Sequence, residues 1–275
     1  MLLLGQLMRS ALYSKIKGGD LSRSSYIRMK YVFANWKMYC GPKQSNLLAQ
    51  ELAGFVVPDT VRATIFPTAL SCESVHTILH DSSWQVGAQN VAWVPDGAYT
   101  GAVSAQFFYE LGARYALIGH SERRHIFHET DPDVRKKLEA CLSAGLTPVL
   151  CLGETAEDKE AGRRQYRLKK QLLVALENLS RNGNEILFAY EPVWAITHSG
   201  SGEACTPADV VDVHGWLTTE LREYGFTNPS ILYGGSVTPD NVMNYASLPD
   251  VAGVLVGSAS TRSASLLSII NAFRS

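Results

Sequence analysis

Residues 186 to 194 read ILFAYEPVW, and the fold follows from how this stretch ends. The apolar run Ile186 to Tyr190 stops at a single carboxylate, Glu191, and Pro192 then removes the backbone donor that further pairing would need. This is a buried strand that delivers Glu191 to its carboxyl end and leads into a loop of small residues, Ala195 to Ala204. Helical patterns flank it at 156–181 and 206–224, and the same alternation runs along the chain. Strands are predicted at 31–36, 62–66, 84–89, 115–119, 148–152, 186–190, 230–234 and 253–257. The helices that follow them fall near 44–56, 69–80, 104–111, 132–144, 156–181, 206–224, 239–246 and 263–273. Eight strand–helix units predict an α/β fold, a closed (β/α)8 barrel forming a single domain. Taking the first 28 of 275 residues away leaves 247, close to the usual size of about 250. An open doubly wound sheet is the competing architecture, but no GxGxxG follows the first strand.

With 46% hydrophobic and 19% charged residues the chain has the composition of a globular domain, and nothing in it marks a linker. A formal charge of -1 supplies no basic field for nucleic acid or an anionic membrane, so any anion must be held by a local site. Cys40, Cys72, Cys141, Cys151 and Cys205 are scattered, odd in number and form no CxxC pair. That pattern fits a reducing cytoplasm, with no disulfide framework and no zinc knuckle. Residues 1 to 28 differ in composition, with Arg9, Lys15, Lys17, Arg23 and Arg28 against Asp20 alone, and five serines. They are read as an extension outside the domain at 29–275: a disordered tail, a misassigned start ahead of Met29, or a transit-like segment. The apolar run MLLLGQLM within them is too short to span a bilayer.

In a closed barrel the carboxyl ends of all strands converge on one mouth, so the chemistry is read as a set. The first strand ends in NWK; Asn35 and Lys37 are two apart and would point the same way, Lys37 offering positive charge to an anionic substrate. The third runs into a long loop, Ala88 to Ser104, whose Trp93, Val94 and Tyr99 suggest docking against a partner subunit. The fourth ends at His120. Ser121 reads as the N-cap of a short helix with Glu122 in its first turn. The positive end of that helix disfavours an imidazolium, and a neutral His120 could donate a hydrogen bond to a carbonyl. A metal reading of His120, His125 and His128 lacks a cysteine or carboxylate to complete it. Cys151 on the fifth strand reads as a buried structural thiol, and Glu154 beyond it as a brace for a neighbouring loop. Glycines and small residues after Glu191 suggest a lid. The seventh and eighth strands end in small-residue turns, and Gly234, Gly235, Ser236, Gly257 and Ser258 are candidate backbone donors to a phosphate.

Taken together, NWKM at 35–38, GHSERR at 119–124, AYEPVWAI at 189–196, YGGSV at 233–237 and LVGSAS at 255–260 resemble the triosephosphate isomerase family, in the right order from Met29 to the end. That family is itself the standard case of a glutamate base working beside a neutral histidine, so these roles are what the resemblance implies rather than an independent deduction. It implies Glu191 as the base of an enediol interconversion and His120 as the neutral electrophile, with Lys37 and Asn35 stabilising the developing oxyanion. Glu122 would orient its neighbours, while Gly200, Ser236, Gly257 and Ser258 would hold the phosphate. The reaction would need no cofactor and no metal, and the enzyme would be a homodimer through the loop at 90–103. Three departures stand out. Thr197, His198 and Ser199 precede the lid's Gly200, Ser258 replaces a glycine, and Ala102 replaces a glutamate that would pair across subunits. Two alternatives stay open: an isomerase of a longer phosphorylated ketose such as a tetrulose phosphate, suggested by the altered lid, and a non-catalytic barrel.

Overall fold

A computed structural model describes residues 28–196 and 205–274 of the chain. The expectations for the amino-terminal extension up to residue 27, and for Gly200 and the inserted Thr197, His198 and Ser199, therefore lie outside the described residues.

Eight parallel strands close into a ring in sequence order: β1 (Lys30–Asn35), β2 (Val61–Phe66), β3 (Gln85–Ala88), β4 (Tyr115–Ile118), β5 (Thr147–Leu152), β6 (Leu187–Tyr190), β7 (Ile231–Tyr233) and β8 (Gly253–Val256). The ring closes where β1 pairs β8, with Tyr31 opposite Gly253 and Ala34 opposite Val256. Side chains alternate between two apolar layers, because successive residues of a strand face opposite ways. Tyr31 and Phe33 of β1, Val149 and Cys151 of β5, and Leu187 and Ala189 of β6 fill the barrel interior. Val32, Ala34, Leu150, Phe188 and Tyr190 face outward under the helices. Burying one such Leu or Phe is worth about 1.5–3 kcal/mol relative to leaving it exposed. The parity also fixes the mouth. Glu191, in step with Leu187 and Ala189, and Asn35, in step with Tyr31 and Phe33, continue the inward-facing rows.

Two predicted helices differ from what is observed. The single helix expected at 156–181 is two, Ala156–Glu160 and Arg164–Leu176. Gly162 sits between them at a φ of 66°, which no helix continues through. The helix expected at 239–246 is only Met243–Ala246, because the residues before it form a side-chain-clamped turn. Among the described residues no helix is long and apolar enough to cross a membrane.

One core histidine makes the fold sensitive to acid. His214, on the helix Pro207–Glu223, is fully buried and stands edge-on to the Tyr190 ring at 6.0 Å. Its Nδ1 donates to the Asp250 carbonyl at 3.2 Å, and Nε2 is buried without a partner. Burial pushes its pKa down from 6.5 to about 4. The neutral ring therefore contributes its full stability above pH 6.5, and that contribution is lost as pH falls from 6.5 towards 4, where the unfolded chain takes up a proton that the native state refuses. The loss should amount to roughly 3 kcal/mol. The parent's urea midpoint should fall between pH 7 and pH 5, with a smaller drop for His214→Gln. An equal drop in both proteins would assign the acid sensitivity to other groups.

Candidate active site

Asn35, Lys37, His120, Glu191, Gly234, Gly235, Ser236, Gly257 and Ser258, all predicted from sequence, line one cavity at the carboxyl end of the barrel. Glu122 sits just behind them. Tyr39, Ile196, Val237, Thr238, Leu255 and Ala259 complete the lining and were not anticipated. Leu255 could have been, because it precedes the last predicted phosphate turn on an inward-facing position.

Lys37 reaches the mouth by a different route from the one expected. β1 ends at Asn35 rather than Trp36, so strand alternation does not carry over to Lys37. Lys37 instead adopts a φ of 49°, a left-handed conformation costly for a side-chain-bearing residue. Its backbone is held on both sides: its N–H donates to Asn35 Oδ1 at 3.0 Å, and its carbonyl accepts from Gln89 Nε2 at 2.8 Å. Gln89, which also donates to the Phe66 carbonyl, is thus a functional residue that the sequence reading passed over. An amide just past the end of an otherwise apolar strand was the available signal. The Lys37 ammonium lies 2.8 Å from Glu122 Oε1, and a Cβ added to Gly257 would stand 3.6 Å from it. The cation therefore borders the turn proposed to bind phosphate.

The helix after β4 corrects one expectation. Its N-cap is His120, not Ser121: the helix runs Ser121–His125, the His120 Nδ1 accepts from the Glu122 N–H at 3.2 Å, and the Ser121 hydroxyl has no partner. That cap assigns the tautomer. With Nδ1 accepting, the proton of a neutral ring lies on Nε2, which faces Glu191 Oε1 at 3.1 Å. Asn35 Nδ2 approaches the same Nε2 at 3.3 Å, and the amide cannot turn because its Oδ1 already serves Lys37. His120 Nε2 and Asn35 Nδ2 therefore lie side by side on the cavity wall, where an entering oxygen could accept from either.

Glu191 is 2% exposed, with Oε2 accepting from the Ser121 N–H at 2.8 Å and Oε1 from His120. Both oxygens are engaged, so a substrate carbonyl that takes over the His120 donor also frees the carboxylate to reach an adjacent C–H. Behind it, the fully buried Glu154 accepts from Tyr190 Oη at 3.0 Å, Trp194 Nε1 at 2.8 Å and Arg164 Nε at 3.1 Å. Glu154 thus braces the segment leaving β6, as the sequence suggested. Cys151 is fully buried in the barrel interior, where desolvation and the nearby Glu191 push its thiol well above the ordinary value. It behaves as packing rather than as a nucleophile.

Among the turn amides, Gly234 needs correction as a donor, since its N–H is spent on the Tyr190 carbonyl at 2.8 Å. Its contribution is space: a Cβ there would stand 2.9 Å from Glu191 Cγ. Gly234→Ala should displace the carboxylate and lower kcat by about 10- to 100-fold with the fold retained, as misplacement by a fraction of an ångström predicts. An unchanged kcat would show that the glutamate tolerates the shift. The N–H groups of Gly235, Ser236, Gly257 and Ser258 bond to nothing among the described residues. Ser258 opens a one-turn 3-10 helix, Ser258–Thr261, without a positive φ, so its side chain is no obstacle to the use of its amide.

A barrel mouth that sets a buried carboxylate against an imidazole and an ammonium, beside free turn amides, defines an enzyme of proton-transfer chemistry on an anionic carbonyl compound. The sequence matches the family model for triosephosphate isomerase over residues 30–273. Triosephosphate isomerases are similar to it over nearly their whole length: 41% identical in Bdellovibrio bacteriovorus, over 88% of this chain and 99% of that protein; 36% in Aquifex aeolicus, over 89% and 99%; and 40% in Herminiimonas arsenicoxydans, over 90% and 100%. The chain belongs to the triosephosphate isomerase family, and its fold is the TIM barrel.

Proposed function

We propose that this chain interconverts dihydroxyacetone phosphate and D-glyceraldehyde 3-phosphate, a step of glycolysis and gluconeogenesis, through an enediolate held at the barrel mouth. Glu191 removes a proton from the carbon next to the carbonyl and returns it to the neighbouring carbon. The oxygen of the enediolate sits against His120 Nε2 and Asn35 Nδ2, with the Lys37 ammonium beside it; donors held in place before charge develops need not reorganise. Glu122, bonded to the Lys37 ammonium, orients it, and its own N–H fixes the His120 ring. The phosphate is held by the amides of Gly235, Ser236, Gly257 and Ser258, and Gly200, outside the described residues, is assigned to the same role by the family resemblance. The observation that carries this reading is the 3.1 Å approach of His120 Nε2 to Glu191, base and electrophile side by side over those amides.

A coupled assay in both directions on purified protein tests it, run alongside a four-carbon ketose phosphate. Turnover of the triose phosphate at least tenfold faster supports the assignment, and preference for the longer sugar moves it to the tetrulose alternative. No turnover of either leaves a non-catalytic barrel.

Two further parts of this reading concern setting. Trp93 and Tyr99, 43% and 48% exposed, put apolar surface on the loop at 90–103, which supports a homodimer built through that loop. Five cysteines, all free and buried, support a cytoplasmic protein. The formal charge gives no reason to expect nucleic acid or membrane partners.

A further inference from the structure

Asn241 touches none of the cavity, yet its carboxamide closes the loop that forms one wall of it. Nδ2 donates to the Ser236 carbonyl at 3.0 Å, and Oδ1 accepts from the Thr238 N–H at 2.8 Å. One rigid planar group thus spans the backbone on both sides of Val237. The turn is pinned further where the Thr238 carbonyl accepts from the Val242 N–H at 3.0 Å, while Val237 anchors it in the core. Closing the turn that precedes the Met243–Ala246 helix needs only the Thr238 contact, a side-chain oxygen accepting from the N–H three residues back. It does not need a donor reaching back to residue 236. That second bond fixes the peptide following Ser236, within the stretch that carries the free Gly235 and Ser236 amides.

We propose that Asn241 is a positioning residue for substrate phosphate: it presets the 235–238 loop so that backbone amides face the anion before it arrives. The inference rests on the function proposed above and adds a residue that neither touches substrate nor lies in the motifs that carry the family resemblance. Amides pointing at solvent repel one another and would splay unless held. A donor preset in direction loses less freedom on binding than one that must be ordered by the ligand.

The test uses Asn241→Ala, which removes both bonds, and Asn241→Asp, which keeps the acceptor for Thr238 but puts a second acceptor against the Ser236 carbonyl. Inorganic phosphate as a competitive inhibitor reads the anion seat alone, and unphosphorylated D-glyceraldehyde reads proton transfer without it. Both variants should raise the phosphate inhibition constant and the KM for triose phosphate by about tenfold, the worth of one or two hydrogen bonds. The same variants should turn over D-glyceraldehyde with kcat/KM within twofold of the parent. Asn241→Asp should match Asn241→Ala or exceed it, although it retains the bond to Thr238. Inhibition by phosphate within twofold of the parent, or equal losses on the phosphorylated and unphosphorylated substrates, would overturn the proposal and leave Asn241 as a turn-former. A parent protein inactive on triose phosphate but still bound by inorganic phosphate would instead count against the proposed function, and the phosphate titration of the variants would still decide this inference.

Discussion

Glu191→Gln is expected to lower kcat by about 10²- to 10⁴-fold, the range lost when a positioned general base is removed, while leaving the melting temperature within a few degrees. The substitution keeps the volume of a side chain that is 2% exposed, and the amide oxygen can still accept from the Ser121 N–H, as Glu191 Oε2 does at 2.8 Å. What it removes is basicity. A carboxylate can take a proton from carbon and an amide cannot, so binding should survive where chemistry does not. Solvent deuterium incorporation at the carbon next to the carbonyl measures that step directly, and KM should stay within a few-fold of the parent. A kcat within tenfold of the parent would show that another group is the base.

Lys37→Met should cost about 10³-fold in kcat/KM, more than the loss from a neutral oxyanion donor, since charge stabilises a developing enediolate and also attracts a phosphate dianion. Methionine matches the length of the stem but carries no charge. The ammonium borders Gly257 while the Lys37 backbone is set by Asn35 and Gln89. The conformation can therefore persist without the cation, and the defect should be electrostatic. Lys37→Arg should recover little, because a planar fork does not occupy the place of a compact ammonium. The two variants separate the roles. Loss at Glu191 should fall on kcat, whereas loss at Lys37 should fall on both KM and kcat and should diminish as added salt weakens the parent's own attraction for the substrate. A Lys37→Met enzyme with unaltered KM would place phosphate recognition in the turn amides alone.

How much of this was legible in the sequence depends on how local the cause was. The barrel was, because each apolar run and each helical pattern is set by neighbours a few positions apart. The delivery of Glu191 and Asn35 to the carboxyl ends of their strands was legible too, since where an apolar run stops needs no knowledge of other strands. The cap at β4 was misassigned for the complementary reason: Ser121 is a good cap by type, but His120 occupies that position because its ring turns back onto the Glu122 N–H while facing Glu191 from another strand. Lys37 was placed at the mouth correctly but for the wrong reason. Its left-handed backbone depends on Gln89, more than fifty positions away, and no periodicity reports that. Gly234 was named as a donor because glycine turns often bind phosphate; the Tyr190 carbonyl across the sheet had already taken its N–H. The helix break at Gly162 was local and could have been read from the glycine itself.

The pairing of β1 with β8 has a further consequence. Lys37 follows the first strand and Gly257 the last, and they come together only across that seam. The two halves of the anion's surroundings therefore come from opposite ends of the polypeptide, and nothing short of a completed ring assembles them. Catalytic competence in this chain is in that sense a property of topology: a nascent or truncated form could hold base and electrophile together through β4 and β6 and still have nowhere to seat its substrate.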